Sequence, residues 1–176
     1  MQQKTEAIVL SLQKHTDTSC ILHLYTREYG RVQYMVYGRK GASTRRKNGI
    51  NLNILSPLSV VEVTADSNPS KSMAVLHSAS LAYIPSSIPQ NVERQCIALF
   101  IAEALYKTLV HPMEDPQLFD YLRQLICELD LSDSVAHIPA AFQFRLSQLL
   151  GYGGEPIEEL KNIKSAELLQ MTAIPL

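Results

Sequence analysis

Arg39, Lys40, Arg45, Arg46 and Lys47 fall within nine consecutive positions of this 176-residue chain. They belong to GRKGASTRRKNG, residues 38–49, which has three glycines and no large apolar side chain. That composition predicts a loop. A phosphate backbone needs cations that can reach it, and a glycine-rich loop lets several approach together. The same charges would suit an acidic protein partner, or only keep a loop solvated. Just before the loop, Arg31, Met35 and Tyr37 share one face of an alternating segment. A flat aromatic ring beside cations is the chemistry of single-strand binding, because every base has a face to stack on. Tyr37 packed beneath the loop is the other reading, and strand parity does not separate the two.

Other chemistries find less support. His15, His23, His77, His111 and His137 show no metal-ligand spacing, and Cys20, Cys96 and Cys127 form no CxxC. A structural zinc is not expected, nor any other cofactor. The cysteines have apolar neighbours and read as buried, reduced thiols. Gly151-Tyr152-Gly153-Gly154 lacks a following GK[ST] and reads as a helix stop. Glu103 is a lone carboxylate in IALFIAEALYKTL, as expected of a helix-surface or structural residue. In the first half, Glu6, Asp17, Glu28 and Glu62 are too scattered to hold a catalytic metal. A non-enzymatic protein without a small-molecule substrate is the expectation.

The elements that must position the basic loop are strands. EAIVLSLQ alternates, with Ile8, Leu10 and Leu12 assigned to one face. SCILHLYT follows a His-Thr-Asp-Thr turn, and Arg-Glu-Tyr-Gly marks a tight turn in which Gly30 takes positive φ. In the third strand Val32, Tyr34 and Val36 lie opposite Arg31, Gln33, Met35 and Tyr37. A fourth strand is expected over 52–63, with a bulge or edge at Ser56-Pro57, and a fifth over 73–83. Five short antiparallel strands with a long basic loop suggest a closed barrel, of which the OB-fold is the commonest nucleic-acid-binding version. Past Ile84-Pro85-Ser86-Ser87-Ile88-Pro89 the period turns helical. The first helix is expected to bury Val92, Cys96, Leu99, Phe100 and Ala104. A second opens on Asp115-Pro116 and buries Leu118, Phe119, Leu122, Leu125, Ile126 and Leu129. A third runs from Ile138 to Leu150, with Gly151 closing it. The fold class is therefore α+β: a five-stranded OB-fold barrel over 1–83, then an all-helical domain over 84–176.

Charge divides along the same line. Residues 1–64 hold nine Lys/Arg against four acids (+5), and the remainder seven against thirteen (−6), for a net −1. An anionic ligand for the first half is implied, and a different role for the second. No signal peptide and no membrane-length apolar run is seen, so a cytoplasmic protein is expected.

Several segments together resemble the RecO family of bacterial repair proteins. They are EAIVLSLQKHTDTSCILHLYTREYGRVQYMVYGRKGAS, with Thr26, Glu28 and Gly30 in a T-x-E-x-G turn, then LNILSPLSVVEV, AEALYKTL, PQLFDYLRQLICELD and FQFRLSQLLGY. The resemblance covers roughly residues 5–152. It implies an N-terminal OB-fold and a helical domain, binding of single- and double-stranded DNA, and strand annealing. It also implies loading of RecA, with the partner RecR, onto DNA coated by single-strand-binding protein. The implied DNA surface comprises Arg31, Tyr37, Arg39, Lys40, Arg45, Arg46 and Lys47. The tail of the single-strand-binding protein would take a hydrophobic groove near cations such as Lys107, Arg123 or Arg145. Many relatives carry a four-cysteine zinc element, which this chain lacks, and continue well past its end, so either a truncated chain or one assembled from separate ordered segments is expected. The rival reading is an OB-fold adaptor that binds an acidic partner without touching DNA.

Overall fold

A computed structural model describes residues 2–37, 50–66, 74–112 and 114–151. Strands β1 (Gln2–Lys14), β2 (Ser19–Thr26), β3 (Gly30–Tyr37), β4 (Val60–Asp66) and β5 (Ala74–Leu81) close into a barrel in the order β1-β2-β3-β5-β4. Helices α1 (Val92–Thr108), α2 (Pro116–Leu131) and α3 (Ile138–Leu149) follow. The α+β class, the OB-type barrel and the helical second half are as read from sequence. The strands are not all antiparallel, however. β3 meets β5 in parallel at Tyr34↔Ala74 and Met35↔Val75, and this pairing closes the barrel.

Two apolar clusters hold the molecule together. Inside the barrel, Ala7, Val9, Leu22, Leu24, Val32, Tyr34, Val36, Val61 and Val63 pack on one another. Outside it, Ile8, Leu10, Tyr25, Leu58 and Val60 join the helices in a second cluster, with Ile101, Leu105, Phe119, Leu122 and Phe142. β1 is thus buried on both faces.

Leu12 is not on the face of Ile8 and Leu10, as alternation had assigned it. The β1–β2 register jumps between Val9 and Ser11, and Leu10 is the extra residue. A one-residue bulge inverts parity beyond it, so Leu12 packs towards the barrel interior. The bulged backbone is held by the chain before β4: Leu58 N–H donates to Val9 O at 2.8 Å, and Val9 N–H to Ser59 O at 3.0 Å. Leu58 reaches that position with φ of 60°, a left-handed conformation costing about 1–2 kcal/mol. Its buried side chain offsets that cost. This approach also delays β4, which begins at Val60 rather than near 52. Leu52–Ile54 forms a single 3-10 turn instead.

α1 buries Ile97, Ala98, Ile101, Ala102 and Leu105. The stripe expected inside does not lie there: Val92, Cys96, Leu99 and Phe100 are exposed, and Ala104 is half-buried. The helix is apolar on both sides, so period alone offers two stripes. The small Ala98 and Ala102 select the one that packs closest. The three thiols are free, but none is buried and Cys96 is exposed. α2 and α3 match expectation. Asp115 Oδ1 accepts the Leu118 N–H at 2.9 Å, Pro116 opens α2, and Gly151 ends α3 at φ 78°.

Candidate nucleic-acid interface

Alternation gives β3 one buried and one outward face. Val32, Tyr34 and Val36 fill the barrel, while Gln33 and Tyr37 are exposed and Arg31 and Met35 half-buried. β2 lies alongside with its own outward side chains in register: Ser19 opposite Tyr37, Ile21 opposite Met35, His23 opposite Gln33 and Tyr25 opposite Arg31. One end of this platform carries Tyr37, which is 44% exposed. The other end runs beneath α1 and α2.

Arg31 lies at that covered end. Its guanidinium donates to the carbonyls of Tyr106 (2.8 Å) and Leu109 (2.7 Å), and sits 4.5 Å from the Tyr106 ring centre. Those carbonyls are the unsatisfied, partly negative end of α1, and a cation there completes them. Arg31 therefore fastens barrel to helix, which the neighbouring residues in sequence do not disclose. Arg94 plays the same part for α2, donating to Leu129 O and, at 2.6 Å, to Ser132 O.

The other cations of residues 1–64 are also engaged, outside the loop. Lys4 pairs with Glu62 at 2.8 Å and Lys14 with Asp17 at 3.1 Å. Arg27 makes two bonds to Asp120, at 2.5 and 3.0 Å. Of nine Lys/Arg in that half, these three, with Arg31, leave Arg39, Lys40, Arg45, Arg46 and Lys47 as the group carrying the positive surplus. Those five lie outside the described residues, in the segment that β3 leads into directly after Tyr37.

The helical cations do not converge. Lys107 is exposed and pairs with Glu103 at 2.8 Å, one turn away, so Glu103 is a surface residue. Arg123 donates to Glu6 at 2.9 Å across the seam. Arg145 reaches Gln148 at 3.4 Å, and its buried Nε has no partner among the described residues. An apolar groove of about 550 Å³ runs between the two halves, lined by Pro57, Leu58, Tyr83, Ile84, Leu99 and Ile126. None of the three cations lines it.

The seam has one more polar device, which sequence reading passed over. Asp130 is buried in α2 and accepts from Tyr83 OH, from Ser86 N–H and Oγ, and from the N–H groups of Ser87 and Ile88. Burial would raise its pKa, but the backbone amides and Tyr83 outweigh that and hold it well below the ordinary carboxylate range. Tyr83, itself desolvated and bonded to that carboxylate, is pushed up to about 12. The chain leaving the barrel is thereby pinned to α2. Among the described residues no three His, Cys, Asp or Glu side chains come together as metal ligands, and no helix is long and apolar enough to cross a membrane.

Residues 1–84 match the family model for the N-terminal part of recombination protein O, and residues 89–155 match that for its C-terminal part. The DNA repair protein RecO of Phocaeicola vulgatus is 35% identical over 152 residues, 86% of this chain and 61% of that protein. Its namesake from Porphyromonas gingivalis is 36% identical over 149 residues, 84% of this chain and 60% of that protein. That of Chlorobium luteolum is 29% identical over 154 residues. The chain thus spans about three-fifths of the length of the first two.

Proposed function

The chain belongs to the RecO family, and from that premise we propose that it is a DNA repair and recombination mediator that binds single- and double-stranded DNA and promotes strand annealing. With RecR it helps load RecA onto DNA coated by single-strand-binding protein, in the cytoplasm at the nucleoid. It works by binding, not by catalysis. Phosphates are met by Arg39, Lys40, Arg45, Arg46 and Lys47, and bases by the outward face of β3 with Tyr37. The observation that carries this reading is the disposition of charge. Every Lys and Arg of residues 1–64 outside 38–49 is already committed, so the surplus is concentrated in the segment that follows the exposed Tyr37 in sequence. Arg31 contributes by holding the platform against α1, not by meeting phosphate. The tail of the single-strand-binding protein is directed to the apolar groove beside Leu99 and Ile84, since Lys107, Arg123 and Arg145 do not converge on a common site.

The test is a salt titration of oligo-dT binding. Each phosphate contact to a single strand contributes about −0.7 to the slope of log K against log salt. Replacing Arg45, Arg46 and Lys47 together by Ala is expected to weaken binding at least tenfold at low salt, flatten the slope by about 2, and slow annealing of complementary strands. Unchanged binding would remove the loop from the interface. No binding by the unaltered chain, together with capture of an acidic protein, would favour the adaptor reading.

A further inference from the structure

Where the platform of β2 and β3 passes under the end of α1, a cavity of about 330 Å³ opens. Its floor includes Gln33 and His23, cross-strand neighbours on the outward face. Val110 and Pro112 form an apolar wall, and Tyr29 and Arg31 border it. Val110 is 63% exposed, so the opening is accessible from solvent.

His23 makes this more than a crevice. Only 7% of it is exposed and its ring nitrogens bond to none of the described residues, yet they are not among the fully buried unpartnered atoms. Its one described ring contact is edge-on to Tyr106, with centroids 4.9 Å apart. Solvent therefore reaches the ring nitrogens, and a ligand in the cavity would take the place of that water. Burial, then the nearby Arg31 charge, lowers its pKa, which favours the neutral imidazole with one donor and one acceptor. The Gln33 amide beside it is exposed and likewise offers both.

Charge argues against an anion here. The Arg31 guanidinium donates from Nη1 to the carbonyls of Tyr106 and Leu109, the partly negative end of α1, which offset its charge. What the cavity suits is neutral and flat, apolar on its faces, with donors and acceptors along its edge. We propose that this cavity receives a single unstacked nucleobase of the bound strand, with Gln33 and His23 meeting its edge and Val110 and Pro112 its face. The inference rests on the DNA-binding reading above and adds a second base contact to it. Gln33 lies four residues from Tyr37, roughly 13 Å along the strand, so one strand can reach both.

The experiment uses the full chain, oligo-dT, and an oligonucleotide of the same length made of abasic sites. Val110→Trp narrows the opening from an exposed position, and Gln33→Ala removes the amide. Both residues are solvent-facing, so neither change disturbs the core. Base–protein stacking is worth about a 5- to 150-fold change in affinity per base. Each variant is therefore expected to weaken oligo-dT binding at least fivefold. The salt slope should stay unchanged, because no phosphate contact is lost. Both should bind the abasic strand as the unaltered chain does. Oligo-dT affinity unaffected by both variants overturns the pocket and leaves the DNA-binding reading standing. An equal loss on the abasic strand overturns it too, since the base would not be what was sensed. No binding of either strand by the unaltered chain ends both readings.

Discussion

Five hydrogen bonds converge on the Asp130 carboxylate, three of them from consecutive backbone amides of residues 86–88. Removing it leaves those part-buried amides without that partner, and each bond to a charged group is worth about 1.5–3 kcal/mol. Asp130→Ala is expected to lower stability by about 3 kcal/mol or more, and Asp130→Asn by less, read from urea midpoints. Because the folded carboxyl titrates below its ordinary 3.8, the stability it contributes is complete above that value. It is lost as pH falls below 3.8. The acid limb of the stability curve should flatten in Asp130→Asn; an identical limb in both proteins would show that Asp130 is not its source. Nothing near Asp130 in sequence marks it. It sits at the end of an apolar helical run, and its partners come from more than 40 residues earlier. Arg31 is similar: its charge and face were readable, but the carbonyls it serves lie 75 and 78 residues away.

Elements were easier to recognise than their orientation. Period-2 alternation located β1, β2 and β3, and capping residues located α2 and α3, because those signals are local. The faces failed where a non-local choice decided. The Leu10 bulge inverted parity at Leu12, and α1 carried two apolar stripes of which packing selected one. β4 was misplaced because residues 58 and 59 bond to the β1 bulge before the strand begins. The helix ends give a prediction at this scale. Arg31 and Arg94 each complete the carbonyl end of a helix from a half-buried position, whereas Arg27 pairs with Asp120 in the open. Exposed pairs contribute about 0–1 kcal/mol. A cation at a partly buried helix end contributes up to about 2. Arg31→Ala and Arg94→Ala are each expected to cost about 2 kcal/mol, and Arg27→Ala under 1. Equal losses for all three, measured by the same urea series, would mean that the carbonyl contacts add nothing beyond charge.

At the scale of the whole molecule, the boundary between barrel and helices is a shared core. Ile8, Leu10, Tyr25, Leu58 and Val60 are barrel residues that pack with α1, α2 and α3, and Tyr25 OH donates to Asp115 O at 3.2 Å. Ion pairs cross it as well, one in each sense: Arg27 of the barrel with Asp120 of α2, and Arg123 of α2 with Glu6 of the barrel. A barrel alone would expose that outer face to water, and a contiguous apolar patch of this kind favours association or unfolding. The two halves should therefore unfold as one unit. Leu24→Ala opens a cavity inside the barrel, and Phe142→Ala opens one among the helices, each costing about 3–5 kcal/mol. Both are expected to lower a single transition seen identically by far-ultraviolet circular dichroism, dominated by helix, and by tyrosine fluorescence. If the halves were independent, Leu24→Ala would shift only the barrel's part of the signal and leave the helical transition in place. One transition would also mean that the β2–β3 platform and the helical half are coupled in stability. Ligand binding to one would then protect both, by an amount set only by affinity and concentration.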